Sequence, residues 1–481
     1  MEEISCENNA EGLIFHRTGF FMSDRWNIEG MKKIAREKNF WMNLLGLVIP
    51  ITIQNFFSTA VNSVDIVMLG YVGQNELSAV SLANQFAFLL FGVLFGLNSG
   101  ITIMAAQYWG KGDTDSIQII TGIAMKIIAA ATLIVSGACI LIPDILMNIY
   151  TADPVLIELG SRYLKVAALS YVLWGLSASY ESMLRSVERA MTSTIITSSA
   201  LVANVILNAV FIFGLFGAPK LGVVGVALAT TLSRCIEFCL CLIDALRGKL
   251  FTIKPRLFLM HHKILFGDFI KYAMPALIND GIWTIAFSTY SIIMGHLSSD
   301  VVAANSVATT VRDLFTVFAY ALGSGAAVMV GIKIGENDLE AARNEGDLFC
   351  WLSLAIGIIT GLILFAARPF VIGFFSLTDT AAGYLNIMLM ISSYYIVAQI
   401  MNTLVIAGLL RSGGNTRWGM ICDIIDMWCV SVPLGFFCAF VLKLPPMWVY
   451  FILCLDEFWK DPFVYRYYKS YKWLNNITRE L

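Results

Sequence analysis

The stretch IPITIQNFFSTAVNSVDIVMLG, from Ile49 to Gly70, decides the fold of this chain. It is long enough to cross a bilayer, because a membrane helix needs about 20 predominantly apolar residues. It also carries one acid, Asp65, inside its apolar run. An ionisable side chain in a membrane helix costs about 2.5–3.5 kcal/mol on insertion scales, so such residues usually face a protein interior or a water-filled path. Asp65 is therefore the first candidate for a functional residue.

The same stretch occurs a second time, 225 residues further along the chain (275 − 50 = 225). When Pro50 is aligned with Pro275 without a gap, 15 of the 64 paired positions are identical. The identical pairs include Gly70 with Gly295, Gly100 with Gly325, Gly110 with Gly335, and Asp113 with Asp338. An ungapped match of this length, pinned by Gly and Pro, is typical of a duplicated half, which transporters commonly contain.

The composition is that of an integral membrane protein. Of the 481 residues, 58% are hydrophobic and only 14% are charged, and the mean hydropathy is +0.74. No soluble domain of this size sustains such a composition on its surface. The net charge of −2 provides no basic surface for nucleic acid. The ten cysteines are scattered through apolar runs without C-x-x-C spacing, so we interpret them as small hydrophobic residues rather than disulfides or metal ligands.

Apolar runs of about 20 residues predict an all-α protein with twelve transmembrane helices, six in each half. Asp456 and Glu457 interrupt the last of these spans. The predicted centres of the spans are Phe57, Leu94, Thr132, Leu173, Val202, Ser233, Ala286, Phe318, Gly357, Tyr395, Met427 and Leu453.

The distribution of Lys and Arg predicts the orientation in the cell membrane. With the N-terminus inside, 22 of these residues lie on the inner side and five on the outer side, when two residues of the distal tail and three within spans are left out. Positive charge is retained on the cytoplasmic side, so both termini are predicted to be cytoplasmic. The predicted regions are an N-terminal extension (1–40), a first half (41–246), a cytoplasmic linker (247–265), a second half (266–465) and a tail (466–481).

An even number of spans separates the two copies of the repeat, so both halves enter the membrane in the same direction. They are therefore predicted to be parallel repeats, related by an axis along the membrane normal. The basic segment between them contains His261 and His262, which suggest a metal site only weakly because no other ligands lie nearby. A segment lying at the inner membrane surface is the favoured interpretation.

The polar residues within the spans suggest an ion site in the first half. Primary ATP-driven transport is not expected, because the chain has no G-x-x-x-x-G-K-[ST] motif. Asn55, Ser58, Asn62 and Asp65 recur at helical spacing and predict a polar face that lines a cavity. Asn204 and Asn208 share one face of the fifth span, and the sixth span supplies Thr230 and Thr231. Neutral oxygen donors beside one carboxylate suit a proton or a sodium ion; interfacial solvation of Asp65 and back-bonding of Thr are the alternatives.

The second half contains its own acids within predicted spans. Asp280 lies in PALINDGIW, and Asp423 and Asp426 lie three residues apart in GMICDIIDMW. These acids are candidates for ion coupling or for attracting a cationic substrate. Helix packing through polar residues is the alternative interpretation.

Several segments, in this order and spacing, resemble the multidrug and toxic compound extrusion (MATE) transporters. They are VDIVMLG, AVSLANQ, GLNSGITIMAAQYWGKGD, ANVILNAVFIFG, GVVGVALATTLS, LRSGGNT and MWCVSVPLGF. The resemblance covers about residues 40–475. It implies two six-helix bundles around a central V-shaped cavity, and efflux of amphipathic, often cationic, small molecules in exchange for sodium ions or protons. No other cofactor is expected, and we expect a monomer in the lipid bilayer.

The resemblance also implies roles for individual residues. Asp65 matches the first-helix acid of the family, and Asn204 and Thr230 match residues of its N-lobe cation site. Asn208 departs from the family, because many relatives carry Asp there, which weakens the case for a sodium ion held by two acids. Asp280 stands where similar sequences often have Glu. Two further correspondences are Asp423, which aligns with an acid before the Trp of the eleventh span, and Asn415, which replaces the Asp of a cytoplasmic turn.

Two other functions are weighed against efflux. A flippase for a lipid-linked saccharide would also use two six-helix halves, but it would need several cationic side chains to meet phosphate, and only Arg234 and Arg312 lie deep in spans. A membrane-embedded lipid transferase would need an acidic or His-rich catalytic loop, and none is evident. A structural or receptor role would leave the membrane acids without a use.

The predicted orientation is tested by labelling single cysteines with a membrane-impermeant maleimide in intact cells. A cysteine at Asn75 should react from outside, and one at Asn337 only after the membrane is opened, because both positions follow from one orientation and an even number of spans. The unsubstituted chain is the control for its native cysteines. The reverse pattern would contradict the parallel repeat.

Overall fold

The computed structural model describes residues 26–248, 254–375 and 377–480. Within these ranges the chain is helical and contains no strand. The prediction of an all-helical membrane protein is confirmed, since nine helical stretches among the described residues are long and apolar enough to cross a membrane. The predicted N-terminal extension lies partly outside the described residues, and its described part forms a short helix, α1 (Ile28–Arg36).

The first half of the chain forms six helical passes, with one short helix, α5 (Pro143–Asn148), between the third and the fourth. The fourth pass consists of two helices, α6 and α7, because the helix is interrupted at Ala168. We call α2 to α9 the N-half: α2 (Lys38–Gly70), α3 (Gln74–Lys111), α4 (Thr114–Leu141), α6 (Pro154–Ala167), α7 (Leu169–Ser186), α8 (Ala190–Phe213) and α9 (Val223–Arg247).

The second half also forms six passes, preceded by a short linker helix, α10 (Pro255–Leu259). Each of the twelve predicted span centres lies in one of the described helical passes. Three stretches of the second half are wound as π-helix: Thr403–Leu410, Ile424–Ser431 and Phe437–Val441. We call α11 to α18 the C-half: α11 (Lys263–Gly295), α12 (Ser299–Gly335), α13 (Leu339–Phe374), α14 (Asp379–Asn402), α15 (Thr416–Asp423), α16 (Val432–Phe436), α17 (Pro446–Leu453) and α18 (Asp456–Lys469).

The linker between the halves packs on the N-half. Lys126 Nζ, on α4, donates hydrogen bonds to the carbonyl oxygens of Leu259 and Met260, at 2.8 and 3.0 Å. His262 Nδ1 accepts a hydrogen bond from the backbone N–H of Leu265 at 3.3 Å and thereby caps the first turn of α11. His262 thus has a capping role, which the sequence interpretation of this basic segment did not include.

Residues that are equivalent in the repeat make equivalent contacts. Asp113 caps α4 by accepting a hydrogen bond from Ser116 N at 3.0 Å, and Asp338 caps α13 by accepting one from Ala341 N at 2.9 Å. Both caps occupy the same place in their halves, at the start of the third pass. The matching Asp residues of the sequence repeat are therefore explained by helix capping.

The two halves meet closely where α3 packs against α12. A Cβ atom added to Gly110 would overlap the carbonyl oxygen of Ile332, and one added to Gly335 would overlap the carbonyl oxygen of Gln107. Gly110 and Gly335 are repeat equivalents, so each half contributes the same glycine to the contact. Only a residue without a side chain allows two helix backbones to come this close. The backbones of the two halves are thus in close contact at the end of the molecule predicted to be cytoplasmic.

The C-terminal segment crosses this same end of the molecule. Gln107 Nε2, on α3, donates to the carbonyl oxygens of Ser412 (2.6 Å) and Asn475 (3.0 Å), and Gln107 Oε1 accepts from Ile477 N at 2.8 Å. Arg479 Nε forms an ion pair with Asp268 Oδ2 at 2.6 Å. The segment after α18 therefore ties the C-half to α3 of the N-half.

The glycine contact is tested by substituting two glycines of the repeat. Gly335→Ala should lower the thermal unfolding midpoint of the purified protein, because overpacking at a close contact costs about 1–3 kcal/mol. Gly295→Ala is the matched control, since a Cβ there meets no atom within 4 Å. The control should unfold at the temperature of the parent protein. Equal midpoints for both variants would contradict the close approach of α3 and α12.

Candidate functional site

The candidate site in the N-half is a chain of hydrogen bonds that joins three helices. Asn208 Nδ2, on α8, donates to Asp65 Oδ1 of α2 at 2.7 Å and to Asn204 Oδ1 at 3.1 Å. Asn204 Nδ2 in turn donates to Ser233 Oγ of α9 at 3.4 Å. The structure therefore brings together Asp65, Asn204 and Asn208. Asn204 and Asn208 can both take part because their spacing of four residues places them on one helix face.

Among the described residues, Thr230 joins this chain through its backbone, and its hydroxyl makes no hydrogen bond with the other members. Its carbonyl oxygen accepts a hydrogen bond from Ser233 Oγ at 2.8 Å. The neighbouring Thr231 donates to the carbonyl oxygen of Val166 at 3.1 Å, so it links α9 to α6. Ser233 is a member of the site that the sequence did not single out. Its spacing of three residues from Thr230 was the available signal.

The charge and burial of this site restrict what it can hold. Asn208 is fully buried, and its Oδ1 atom has no hydrogen-bond partner among the described residues. Asp65 is partly exposed and accepts a hydrogen bond from an amide, not from a cationic side chain. An acid with one neutral partner can bind a proton, or it can share a cation with the amide oxygens. The side chain of Asn62, on the same predicted polar face, is outside the described part of the structure.

The N-half also buries two glutamates that the sequence analysis did not select. Glu181 Oε1 accepts a hydrogen bond from Thr197 Oγ1 at 2.7 Å, and Glu237 forms an ion pair with Arg234 at 2.6 Å. The guanidinium of Arg234 also lies 5.0 Å from the centre of the Trp174 ring. The spacing of three residues between Arg234 and Glu237 was the signal that sequence reasoning missed.

In the C-half, Asp280 is held by an arginine. Arg411 Nη2 donates to Asp280 Oδ1 at 2.6 Å, and Arg411 Nη1 donates to Asp280 Oδ2 at 3.3 Å. The same Nη1 atom lies 3.1 Å from Ser99 Oγ on α3 of the N-half. A bidentate pair of this kind neutralises the carboxylate and fixes its orientation. Asp280 is thus part of an ion pair close to the contact between the halves.

Asp423 and Asp426 have different surroundings, although their spacing of three residues predicted one shared helix face. Asp423 accepts a hydrogen bond from Asn279 Nδ2 at 2.7 Å and forms an ion pair with Lys460 Nζ at 3.1 Å. Neither carboxylate oxygen of Asp426 has a hydrogen-bond partner among the described residues. Lys460 also pairs with Glu457 at 3.0 Å. The structure therefore places Asp280 with Arg411, and Asp423 with Lys460, in separate pairs.

Comparison with known proteins identifies the family. The family model described as MatE matches residues 50–210 and 275–437, and its two matches begin 225 residues apart (275 − 50), as the internal repeat does. The chain is 27% identical over 410 residues to the multidrug resistance protein NorM of Burkholderia vietnamiensis, covering 82% of this chain and 86% of that protein. It is 24% identical over 412 residues to the probable multidrug resistance protein YoeA of Bacillus subtilis strain 168, covering 84% of this chain and 88% of that protein.

Solved structures of such proteins share the fold. The Vibrio cholerae MATE transporter VcmN in the bent form matches with a TM-score of 0.81 at 14% identity, covering 92% of this chain and 99% of that one. A multidrug resistance MATE family transporter of the MOP superfamily, in an outward-facing conformation, also matches with a TM-score of 0.81, at 17% identity, covering 89% of this chain and 94% of that one. These matches cover both halves of the chain.

The structural role of the Asp280–Arg411 pair is tested by removing one partner or both. Asp280→Asn should lower the thermal unfolding midpoint strongly, because a buried charge left without its partner costs about 3–5 kcal/mol. The double variant Asp280→Leu with Arg411→Leu should recover most of the loss. The control is Asp115→Asn, which breaks the exposed pair with Lys254 and should change the midpoint little. A wild-type midpoint for Asp280→Asn would show that the pair does not stabilise the fold.

Proposed function

The chain belongs to the MatE family of ion-coupled multidrug efflux transporters, and from this premise we propose that it exports amphipathic, mainly cationic small molecules in exchange for protons or sodium ions. The observation that carries the proposal is the hydrogen-bonded chain of Asp65, Asn208 and Asn204 within the N-half. A coupling site must bind its ion in one conformation and release it in another. Asp65 suits this role because its only described hydrogen bond comes from a neutral amide.

The charge pairing of Asp280 and Asp423, two of the three candidate acids of the C-half, favours Asp65 over these two carboxylates as the coupling acid. Asp280 is neutralised by Arg411, and Asp423 is paired with Lys460. A cation bound at either carboxylate would have to displace a buried ammonium or guanidinium, which costs more than binding to an unpaired acid. In the proposed function, Asp280 therefore positions helices rather than attracting the substrate.

The close contact between the halves supports alternating access. Gly110 and Gly335 hold α3 and α12 together at the end predicted to be cytoplasmic. For a substrate to enter from the cytoplasm, these two helices must separate while the opposite ends approach. We propose that the conformation described is closed toward the cytoplasm, with both termini on that side of the cell membrane.

The surroundings of the buried cations favour efflux over the flipping of a lipid-linked saccharide. Arg234, Arg411 and Lys460 each hold a carboxylate at 2.6 to 3.1 Å and are therefore already neutralised. Arg312 lies over the rings of Phe287 and Tyr395, at 5.3 and 5.4 Å from their centres. A phosphate group would need several free cationic side chains in one cavity. This arrangement favours a cationic substrate over an anionic one.

Replacing Asp65 by Asn should uncouple transport. The variant keeps the size of the side chain but removes its charge, so we expect gradient-driven efflux from proteoliposomes to fall to background. Substrate affinity should change by less than about tenfold, roughly 1.4 kcal/mol, because the substrate retains its other contacts. The assay imposes a proton gradient or a sodium gradient alone, which also identifies the coupling ion.

The companion variant is Asn208→Asp, which introduces the acid that the family resemblance implies at this position. It places a second carboxylate beside Asp65, where like charges raise the affinity for a cation or a proton. Efflux should persist with a changed dependence on pH or sodium. If Asp65→Asn keeps wild-type efflux while Asp423→Asn abolishes it, the coupling site belongs to the C-half.

A further inference from the structure

The C-terminal segment, residues 470–480, is held by the C-half along its length. Trp473 is fully buried, and its Nε1 atom donates a hydrogen bond to the carbonyl oxygen of Tyr468, on α18, at 3.0 Å. The ring of Trp473 also stacks on the ring of Tyr468, with 5.5 Å between the ring centres. Further along, Asn476 Nδ2 donates to the carbonyl oxygen of Ile334, on α12, at 3.1 Å. The segment is therefore attached to two helices of the C-half.

The opposite side of the contact is a buried glutamine of the N-half. Gln107, on α3, is fully buried, and its Nε2 atom donates to the carbonyl oxygens of Ser412 and Asn475, at 2.6 and 3.0 Å. Its Oε1 atom accepts a hydrogen bond from the backbone N–H of Ile477 at 2.8 Å. Both hydrogens and the oxygen of this amide are thus bonded to the backbone of the C-half and of the C-terminal segment.

Two further side chains of α3 bind the segment at Arg479. The backbone N–H of Arg479 donates to Tyr108 Oη at 3.1 Å, and Lys111 Nζ donates to the carbonyl oxygen of Arg479 at 2.6 Å. The side chain of Arg479 pairs with Asp268, on α11, at 2.6 Å. The N-half therefore holds the backbone of Arg479, whereas the C-half holds its side chain.

The four hydrogen bonds between α3 and the C-terminal segment all use the backbone of the segment. They are made by N–H or C=O groups of Asn475, Ile477 and Arg479. This spacing of two residues is typical of an extended chain, in which alternate residues face the same side. The contact therefore depends on backbone N–H groups, and one of them can be removed without changing a charge.

The duplicated frame does not account for the three side chains of α3 that bind the segment. In the 225-residue register of the repeat (275 − 50 = 225), their equivalents in the C-half are Ile332, Lys333 and Glu336. Isoleucine has no polar side-chain atom, and an ionised glutamate cannot donate a hydrogen bond, so these residues could not bind the same backbone groups. The contact between α3 and the segment thus needs an explanation of its own.

Opening toward the cytoplasm would break this contact. Access from that side requires α3 and α12 to separate where Gly110 and Gly335 now touch the opposite backbone. Because Trp473 and Asn476 are held by the C-half, the segment stays with that half and its bonds with α3 are lost. Gln107 would then lose two of its backbone partners, which costs free energy until water replaces them.

We propose that the C-terminal segment is a latch, which stabilises the conformation closed toward the cytoplasm and must leave α3 before the two halves separate. Weakening its contact with α3 shifts the population of the protein toward the conformation that is open to the cytoplasm. This role rests on the proposed function only in that the two halves alternate. It does not depend on which ion or substrate is carried.

Hydrogen–deuterium exchange with mass spectrometry, on the full chain in lipid nanodiscs, tests the latch. Ile477→Pro removes the N–H group that donates to Gln107, and Ile477→Val is the matched control, because it keeps this N–H and most of the apolar side chain. Backbone amides at the cytoplasmic ends of α3 and α12 should exchange about tenfold faster in Ile477→Pro than in Ile477→Val, because these ends separate more often. Equal exchange rates in the two variants would overturn the proposal.

A second pair of variants changes the receiving side chain on α3. Gln107→Leu keeps the approximate volume of the side chain but removes its amide, so it should also speed exchange at the ends of α3 and α12. Gln118→Leu is the matched control. Gln118 is likewise buried and accepts a hydrogen bond from the backbone N–H of Lys254 at 2.7 Å, but this bond joins the linker to the N-half. An equal effect of both leucine variants on these ends would contradict the latch.

The same measurement during turnover separates the latch from the proposed function. Proteoliposomes of the unsubstituted chain receive ethidium, an aromatic cation, and an imposed proton or sodium gradient. Exchange at the cytoplasmic ends of α3 and α12 should rise, because the halves then alternate. Absence of a rise would contradict alternating access itself. A rise together with equal rates in the paired variants would contradict only the latch.

Discussion

A charge inside a membrane protein has to be paired, hydrogen-bonded or neutralised, and this constraint organises the interior of the chain. Arg234 is paired with Glu237, Arg411 with Asp280, and Lys460 with both Asp423 and Glu457. Some of these pairs join neighbouring turns of one helix, and others join helices that are far apart in sequence. The fold brings the paired groups together, and the pairs in turn stabilise the packing of the helices. Against this background, an acid without a cationic partner is conspicuous. Asp65 has a neutral amide, and Asp426 has no described partner at all.

The second constraint is the close contact between the halves. Gly110 and Gly335 allow the backbones of α3 and α12 to touch, and Gln107 binds the C-terminal segment beside them. Such a contact is either made or broken, because close-packed backbones do not deform gradually. A transporter that alternates between two openings needs an interface of this kind. The Asp280–Arg411 pair, with Ser99 beside it, lies close to the same contact and adds a polar element to it.

The sequence predicted most of the fold, because the signals for the fold are local. Hydropathy located the twelve passes. Among the repeated residues, Gly110 and Gly335 are explained by a close backbone contact, and Asp113 and Asp338 by helix caps. The link between Asn204 and Asn208 was predicted from their spacing on one helix. The partner of Asp280 could not be predicted, since Arg411 is 131 residues away and only the tertiary fold brings the two together. Asp456 and Glu457 were noticed only as an interruption of the last span. Both acids are buried, and they directly follow the break between α17 and α18.

The repeat also shows how the two halves diverged. The equivalent of Asp65 is Tyr290, and the equivalent of Asp280 is Asn55, so at each of these positions one half has an acid and the other a neutral residue. Two halves with the same helical frame therefore cannot bind ions in the same way. In the N-half the acid on α2 accepts a hydrogen bond from the amide of Asn208 on α8, whereas in the C-half the equivalent tyrosine donates to an acid on α18. The two duplicated halves share the same arrangement of helices, but their ionisable groups lie on different helices. An ion that bound in one half would therefore meet a different set of charges from an ion that bound in the other.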